Sequence, residues 1–194
     1  MKKFSTLLAS CLLSLTLFAQ NRDMQSEVSA GIRILSGAFG YGAHNYQRTP
    51  NWTMGIAPVV RYEKPFRTAF YGYERYGKLV ANAGLILMKP FTVSGKEYTD
   101  KGEKLVSQTI GPRFLQLGVG LHNDAKVSFG FEVNYWKGLN CEDLFAAKLL
   151  SFGFRAGNMK LMLNGEVVVG ANDATRNPIV ISLDVLYIIK RRDY

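Results

Sequence analysis

Cysteine, histidine and long apolar runs are scarce in this chain, and each scarcity removes a class of protein. The 194 residues contain 2 cysteines and 2 histidines. Cys11 lies in the leading apolar segment, so loss of that segment leaves Cys141 alone and no intramolecular disulfide. The histidines stand in His44-Asn45-Tyr46 and His122-Asn123-Asp124, with no cluster of metal-ligand types around them. No glycine-rich phosphate loop follows a strand-like segment. The expectation is therefore no metal and no cofactor. Beyond Phe18, no apolar stretch approaches the roughly 20 residues of a transmembrane helix. Segments with helical period are too short to compete with another pattern, described below. Acids are also in the minority, 15 against 24 bases.

The start of the chain reads as an export signal. Met1-Lys2-Lys3 is a basic opening, Leu7 to Phe18 is apolar, and Leu17-Phe18-Ala19 precedes Gln20. This is the plan of a cleavable secretory signal peptide over residues 1–19, leaving one domain over 20–194. A lipoprotein cut at Cys11 is rejected, because Leu12 to Phe18 would leave an apolar run on the new terminus. Cleavage after Ala19 removes Lys2 and Lys3 and no acid. That leaves 22 bases against 15 acids, a net charge of +7.

What is present is alternation. In the final segment Ile179, Ile181, Leu183, Val185, Tyr187 and Ile189 share one face of a strand. Val180, Ser182, Asp184, Leu186, Ile188 and Lys190 share the other. The segment has the length of a tilted membrane-crossing strand, which needs roughly 9–11 residues. Similar alternation recurs near residues 27–35, 53–64, 76–88, 110–121, 126–136, 147–156 and 161–169. These predict eight strands. Pro58 cannot donate to a ladder and predicts a bulge in the second. Tight turns are expected at His122-Asn123-Asp124 and Gly157-Asn158, and longer loops after strands one, three, five and seven. The segment from Pro65 to Arg75 reads as a long connection that breaks this asymmetry.

The apolar face carries almost no charge, apart from strand-end residues such as Arg113 and Lys148. The mixed face carries Gly31, Gly55, Gly84, Gly118, Gly120, Gly130 and Gly153, which suit the narrow interior of an eight-stranded barrel. It also carries Arg33, Arg61, Lys78, Lys126, Arg155 and Lys190 with Glu63, Glu132, Glu166 and Asp184. Charges placed inside must pair, so an internal network is the expected filling. Trp52, Tyr62, Tyr135, Trp136, Tyr187 and Tyr194 fall near strand ends, where aromatic girdles sit. The alternative is a soluble barrel with the apolar face inside and the charged face solvated.

The signal peptide, the eight amphipathic strands and the Ile179-to-Tyr194 strand with its terminal aromatic resemble the small eight-stranded outer-membrane β-barrels of Gram-negative bacteria. The resemblance implies an all-β, antiparallel, up-and-down transmembrane barrel in the outer membrane. It implies lipid and lipopolysaccharide around the wall, and the barrel assembly machinery as the reader of the last strand. Some members are lipid-modifying enzymes, whose deacylases place a His and a Ser two residues apart beside an acid. Neither histidine here has that setting, and the expected topology puts His44 and His122 at opposite ends of the barrel. Catalytic residues are therefore not expected, and the chain is read as a non-enzyme.

Arg61 to Lys78 interleaves bases with aromatics, a pattern that in a cytosolic protein suggests nucleic acid. Export argues against that partner and favours a rim touching anionic head groups. A barrel filled by side chains is no general pore. The expected role is structural or a surface interaction through outer loops, with a protein or lipopolysaccharide partner. The longest loop, Lys89 to Thr109, mixes signs through Lys96, Glu97, Asp100, Lys101, Glu103 and Lys104, and is the expected interaction site. The alternative is transport or binding of a small hydrophobic ligand through a gap in the wall near Pro58, and a lesser alternative is a lipid-modifying outer-membrane enzyme.

Overall fold

The computed structural model describes residues 25–39, 51–70, 73–99, 102–123, 127–170 and 179–193. The expected signal peptide over residues 1–19, His44, Asp100, Lys101, Lys126 and Tyr194 lie outside the described residues. The strands are β1 (Gln25–Phe39), β2 (Asn51–Phe70), β3 (Tyr73–Met88), β4 (Phe91–Thr99), β5 (Gly102–Ile110), β6 (Arg113–Asn123), β7 (Val127–Gly138), β8 (Leu144–Ala156), β9 (Met159–Gly170) and β10 (Ile179–Asp193). Eight of them close an antiparallel up-and-down barrel in the order β1-β10-β9-β8-β7-β6-β3-β2. β4 and β5 form a separate hairpin between β3 and β6.

Closure is needed because every one of these strands has unpaired backbone groups on both sides until a neighbour takes them. The seam is β1 on β10, from Gln25 opposite Asp193 to Gly37 opposite Val180. Along β2, Met54, Ile56, Pro58, Val60 and Tyr62 face out, while Ala57, Val59, Arg61 and Glu63 are buried inside. The same alternation runs along β3, β6 and β10. Apolar side chains are outside and mixed ones inside, the reverse of a barrel with its apolar face inward.

The two rims differ in their connections. One rim carries the connections at 71–72, 124–126 and 157–158 and is called the short-turn rim here. The other carries 40–50, the β4–β5 hairpin, 139–143 and 171–178, and is called the loop rim. Gly157, with φ of +59°, supplies the left-handed backbone for the two-residue turn into Asn158. The expected long connection from Pro65 to Arg75 is absent. Pro65 pairs with Lys78, and the ladder runs on to Phe70 opposite Tyr73. Aromatics and bases there prolong the hairpin, so this turn joins the short ones. Pro58 makes no bulge either. The β2–β3 register holds from Gly55 opposite Met88 to Val59 opposite Gly84, with only the pairings of Ala57 and Pro58 missing.

Bulges do occur at two other places. One is on β8, where Lys148 pairs with Glu166 and Leu150 with Gly165, so that Leu149 is the extra residue. The second is on β10, where Ile188 pairs with Ser29 and Lys190 with Val28, leaving Ile189 over. Each reverses the inside–outside phase of its strand.

Candidate functional site

The barrel interior is built in two storeys. Towards the short-turn rim and the middle it is charged. Glu27, Glu63, Glu132, Glu166 and Asp184 are buried there with Arg33, Arg61, Lys78, Lys148 and Lys160, so opposite charges balance among the described residues. Burying any one of these alone would cost several kcal/mol, and pairing offsets that cost.

Glu132 is the hub of this storey and has no exposed surface. Its Oε1 accepts from Arg61 Nη1 at 2.5 Å and lies 2.9 Å from His122 Nε2. Its Oε2 accepts from Lys148 Nζ at 2.9 Å and Asn82 Nδ2 at 2.8 Å. Arg61 also donates to Glu63 at 2.7 Å. Arg33 grips Asp184 with two bonds, at 2.6 and 2.8 Å, and gives a third to Gln116. The Gln116 amide then donates to Asn82 and Asn134, tying the Arg33 pair to the Glu132 hub. Nearer the short-turn rim, Lys160 Nζ reaches Glu63 at 2.6 Å and Glu27 at 3.5 Å. Glu27 is also 2.6 Å from Arg155. Between the neighbouring strands β10 and β9, Ser182 Oγ donates to Glu166 at 2.9 Å.

Towards the loop rim the filling is apolar. Leu35, Ile86, Met88, Phe114, Trp136, Leu144, Val168 and Val180 are buried together, with Phe91 and Cys141 packed against them. The Phe114 and Trp136 rings are tilted, with centroids 5.6 Å apart. Nothing in the alternation pattern sets this storey apart from the charged one.

The charged residues expected inside are thus placed as follows. Arg33, Arg61, Glu63, Lys78, Glu132, Glu166 and Asp184 are buried, and Arg155 is a half-buried rim residue. Lys148, expected on the apolar face, points inward because Leu149 is bulged and resets the phase. Lys190, grouped with the interior bases, points outward because Ile189 is bulged and Lys190 pairs with the outward Val28. His122, expected in a turn, is a buried strand residue, since β6 runs on to Asn123. Trp136, expected in a girdle, is fully buried inside. Glu27, Lys160 and the amide bridge Asn82-Gln116-Asn134 were not anticipated. Each sits on the mixed face of its strand, and that phase is the signal that marks it.

At the loop rim, β4 and β5 pair from Phe91 opposite Ile110 to Thr99 opposite Gly102. The register sets Glu97 opposite Lys104 and Tyr98 opposite Glu103, with Lys96 opposite Leu105. The mixed charges of this segment therefore lie across a hairpin rather than along an irregular loop. Beside it, Asp143 accepts from Lys137 Nζ at 2.8 Å, from the Gly138 amide at 3.0 Å and from the Tyr135 hydroxyl. These donors, the lysine first, hold the Asp143 carboxyl down at about 2.

On the outward wall, Ala81 and Ala83 leave an open apolar groove bordered by Val60, Tyr62, Tyr135 and Phe145. Among the described residues, no three His, Cys, Asp or Glu side chains are placed to hold a metal ion. No protein-family model matches the chain, and no curated protein matches it.

Proposed function

We propose that this chain is an outer-membrane β-barrel whose role is structural or one of surface interaction, carried by the loop rim and above all by the β4–β5 hairpin. One observation carries the membrane part. The outer wall exposes apolar side chains all the way round, including Ile32 at 49%, Leu117 at 54%, Val119 at 60%, Leu163 at 52% and Ile181 at 51%. Exposed apolar patches on soluble monomers rarely exceed a few hundred Å². A continuous apolar wall around a charged interior suits hydrocarbon outside. The packed apolar storey supports an interaction role over solute passage, because it fills the lumen with side chains.

The hairpin is the natural interaction element. It lies outside the barrel ladder, and a rigid scaffold holds it at the rim. Deletion of Gly95 to Gly102 tests the proposal. The barrel is expected to keep its heat-modifiable migration, while partner capture or surface adhesion is lost. Binding that survives the deletion intact removes the hairpin from the proposal, and a soluble periplasmic monomer removes the membrane reading.

The groove at Ala81 and Ala83 supports a second reading, binding of a small hydrophobic ligand at the wall. It adjoins the place where the β2–β3 ladder lacks the pairings of Ala57 and Pro58. Ala83→Trp would fill the groove and is expected to abolish such binding.

A further inference from the structure

The exposed charges of the loop rim include an acid among the bases, whereas those placed at the short-turn rim are bases. At the loop rim, Lys89, Arg113 and Lys137 are exposed alongside the acid Glu142, with Asp143 half-buried. At the short-turn rim, Lys64, Arg67, Lys190, Arg191 and Arg192 are exposed. Two acids near this rim, Glu27 and Glu63, are buried and turned inward to the lysines and arginines of the lumen.

Three neighbouring strands gather these bases on the outward side. Val28 of β1 lies between Lys190 of β10 and Tyr62 of β2 in register, so all three share the outward face. Lys64 follows two residues beyond Tyr62, about 7 Å further towards the rim. Arg192 follows two beyond Lys190 by the same step. The bulge at Ile189 is what makes this possible. Without it, Lys190 would point into the lumen and Arg191 out. With it, Arg191 turns in, 3.6 Å from Glu27, and Lys190 turns out. On the barrel side of the bases stand Tyr62 and Tyr187, 40% and 53% exposed, with Ala30 between Tyr187 and Val60. Apolar wall, then tyrosine, then base is the order in which a bilayer leaflet presents acyl chain, interface and phosphate.

We infer that Lys64, Lys190 and Arg192, with Tyr62 and Tyr187 beside them, form a site for the phosphate head group of an anionic phospholipid in the leaflet at the short-turn rim. The occupant is a lipid rather than free phosphate, because the bases continue an apolar wall that only a molecule with acyl chains covers. The inference rests on the membrane reading above.

The test uses the full chain in detergent micelles, with equimolar phosphatidylglycerol and phosphatidylethanolamine and native mass spectrometry to read the retained lipid. The expected result is preferential retention of phosphatidylglycerol. In the combined variant Lys64→Gln, Lys190→Gln, Arg192→Gln, retention falls by roughly fivefold for each base removed. The matched loop-rim variant Lys89→Gln, Arg113→Gln, Lys137→Gln keeps the preference. Equal retention of the two lipids, or equal loss in both variants, overturns the inference. If the first variant does not fold, the unaltered protein serves. Its preference must fall as salt rises from about 0.05 M to about 0.5 M, because exposed charges are screened over that range, and a preference indifferent to salt overturns the inference. Insertion into phosphatidylcholine vesicles is scored separately. Failure to insert removes the membrane reading, whereas insertion without lipid preference removes only this site.

Discussion

Replacing Glu132 by alanine strands two bases with unequal consequences. Arg61 keeps Glu63 at 2.7 Å, but the nearest other acid to Lys148 is Asp184, at 3.9 Å. Both bases are essentially without exposed surface, so neither can turn to water. Removing one partner of a buried pair costs about 3–5 kcal/mol, chiefly through the charge left behind. Against a typical total of about 5–15 kcal/mol, that is a large share of the stability. Glu132→Gln keeps the shape but sets an amide against the donors Lys148 Nζ and Asn82 Nδ2, so its cost is expected to be similar. Adding Lys148→Met to Glu132→Gln removes the stranded charge. The double variant is expected to be more stable than the sum of the singles by about 0.5–3 kcal/mol, the range for residues in one network. Reversible urea unfolding in lipid vesicles, followed by the fluorescence of Trp52 and Trp136, measures all four corners of the cycle. A cost below about 1 kcal/mol for Glu132→Ala, or additivity within about 0.5 kcal/mol, would refute the reasoning that this hub is held by its charges.

Trp136→Ala should cost about 3–5 kcal/mol by opening a cavity beside Phe114, read from the same unfolding curves. Little change would mean that the apolar storey is loosely packed. Asp143 contributes through a carboxyl held below its ordinary value of about 3.9, so its contribution is full above about pH 4 and is lost as pH falls through about 2. Amide exchange at Gly138 should therefore lose protection across that window in the unaltered protein and show no such step in Asp143→Asn. Parallel profiles would dismiss the carboxylate as the cause. Gly31→Ala places a β-carbon against the Val185 carbonyl oxygen of the closing strand, so the heat-modifiable form is expected to disappear. A normally migrating variant would show that the seam can yield there.

How much of this was legible depends on how far strict alternation holds. Along β2, β3 and β6 it holds without interruption, and the side that each of Arg61, Asn82 and Gln116 takes follows from phase alone. It fails where one residue is inserted. Leu149 on β8 and Ile189 on β10 are ordinary aliphatics among others like them, and nothing in their chemistry marks a bulge. Yet they decide that Lys148 is inside and Lys190 outside. The Pro65-to-Arg75 segment misled in another way. Bases and aromatics without clear alternation read as a loop, but backbone pairing between β2 and β3 extends past the barrel regardless. The division of the lumen is a third kind of failure. Phe114 and Gln116 share a face, and only the level at which the other strands bring their own residues separates a ring packed on Trp136 from an amide bound to Arg33.

That division bears on how such a barrel could enter hydrocarbon from the short-turn side. The loop rim is then the leading end, and the lumen-facing side chains nearest it, Leu35, Ile86, Met88, Phe114, Trp136 and Val180, are ones a nonpolar medium tolerates before closure. Glu63 and Lys160, nearest the trailing end, would stay closest to water until their strands met. A gradient of polarity along the lumen would thus lower the barrier to entry in one direction and raise it in the other, making the final orientation a property of the filling as well as of the loops.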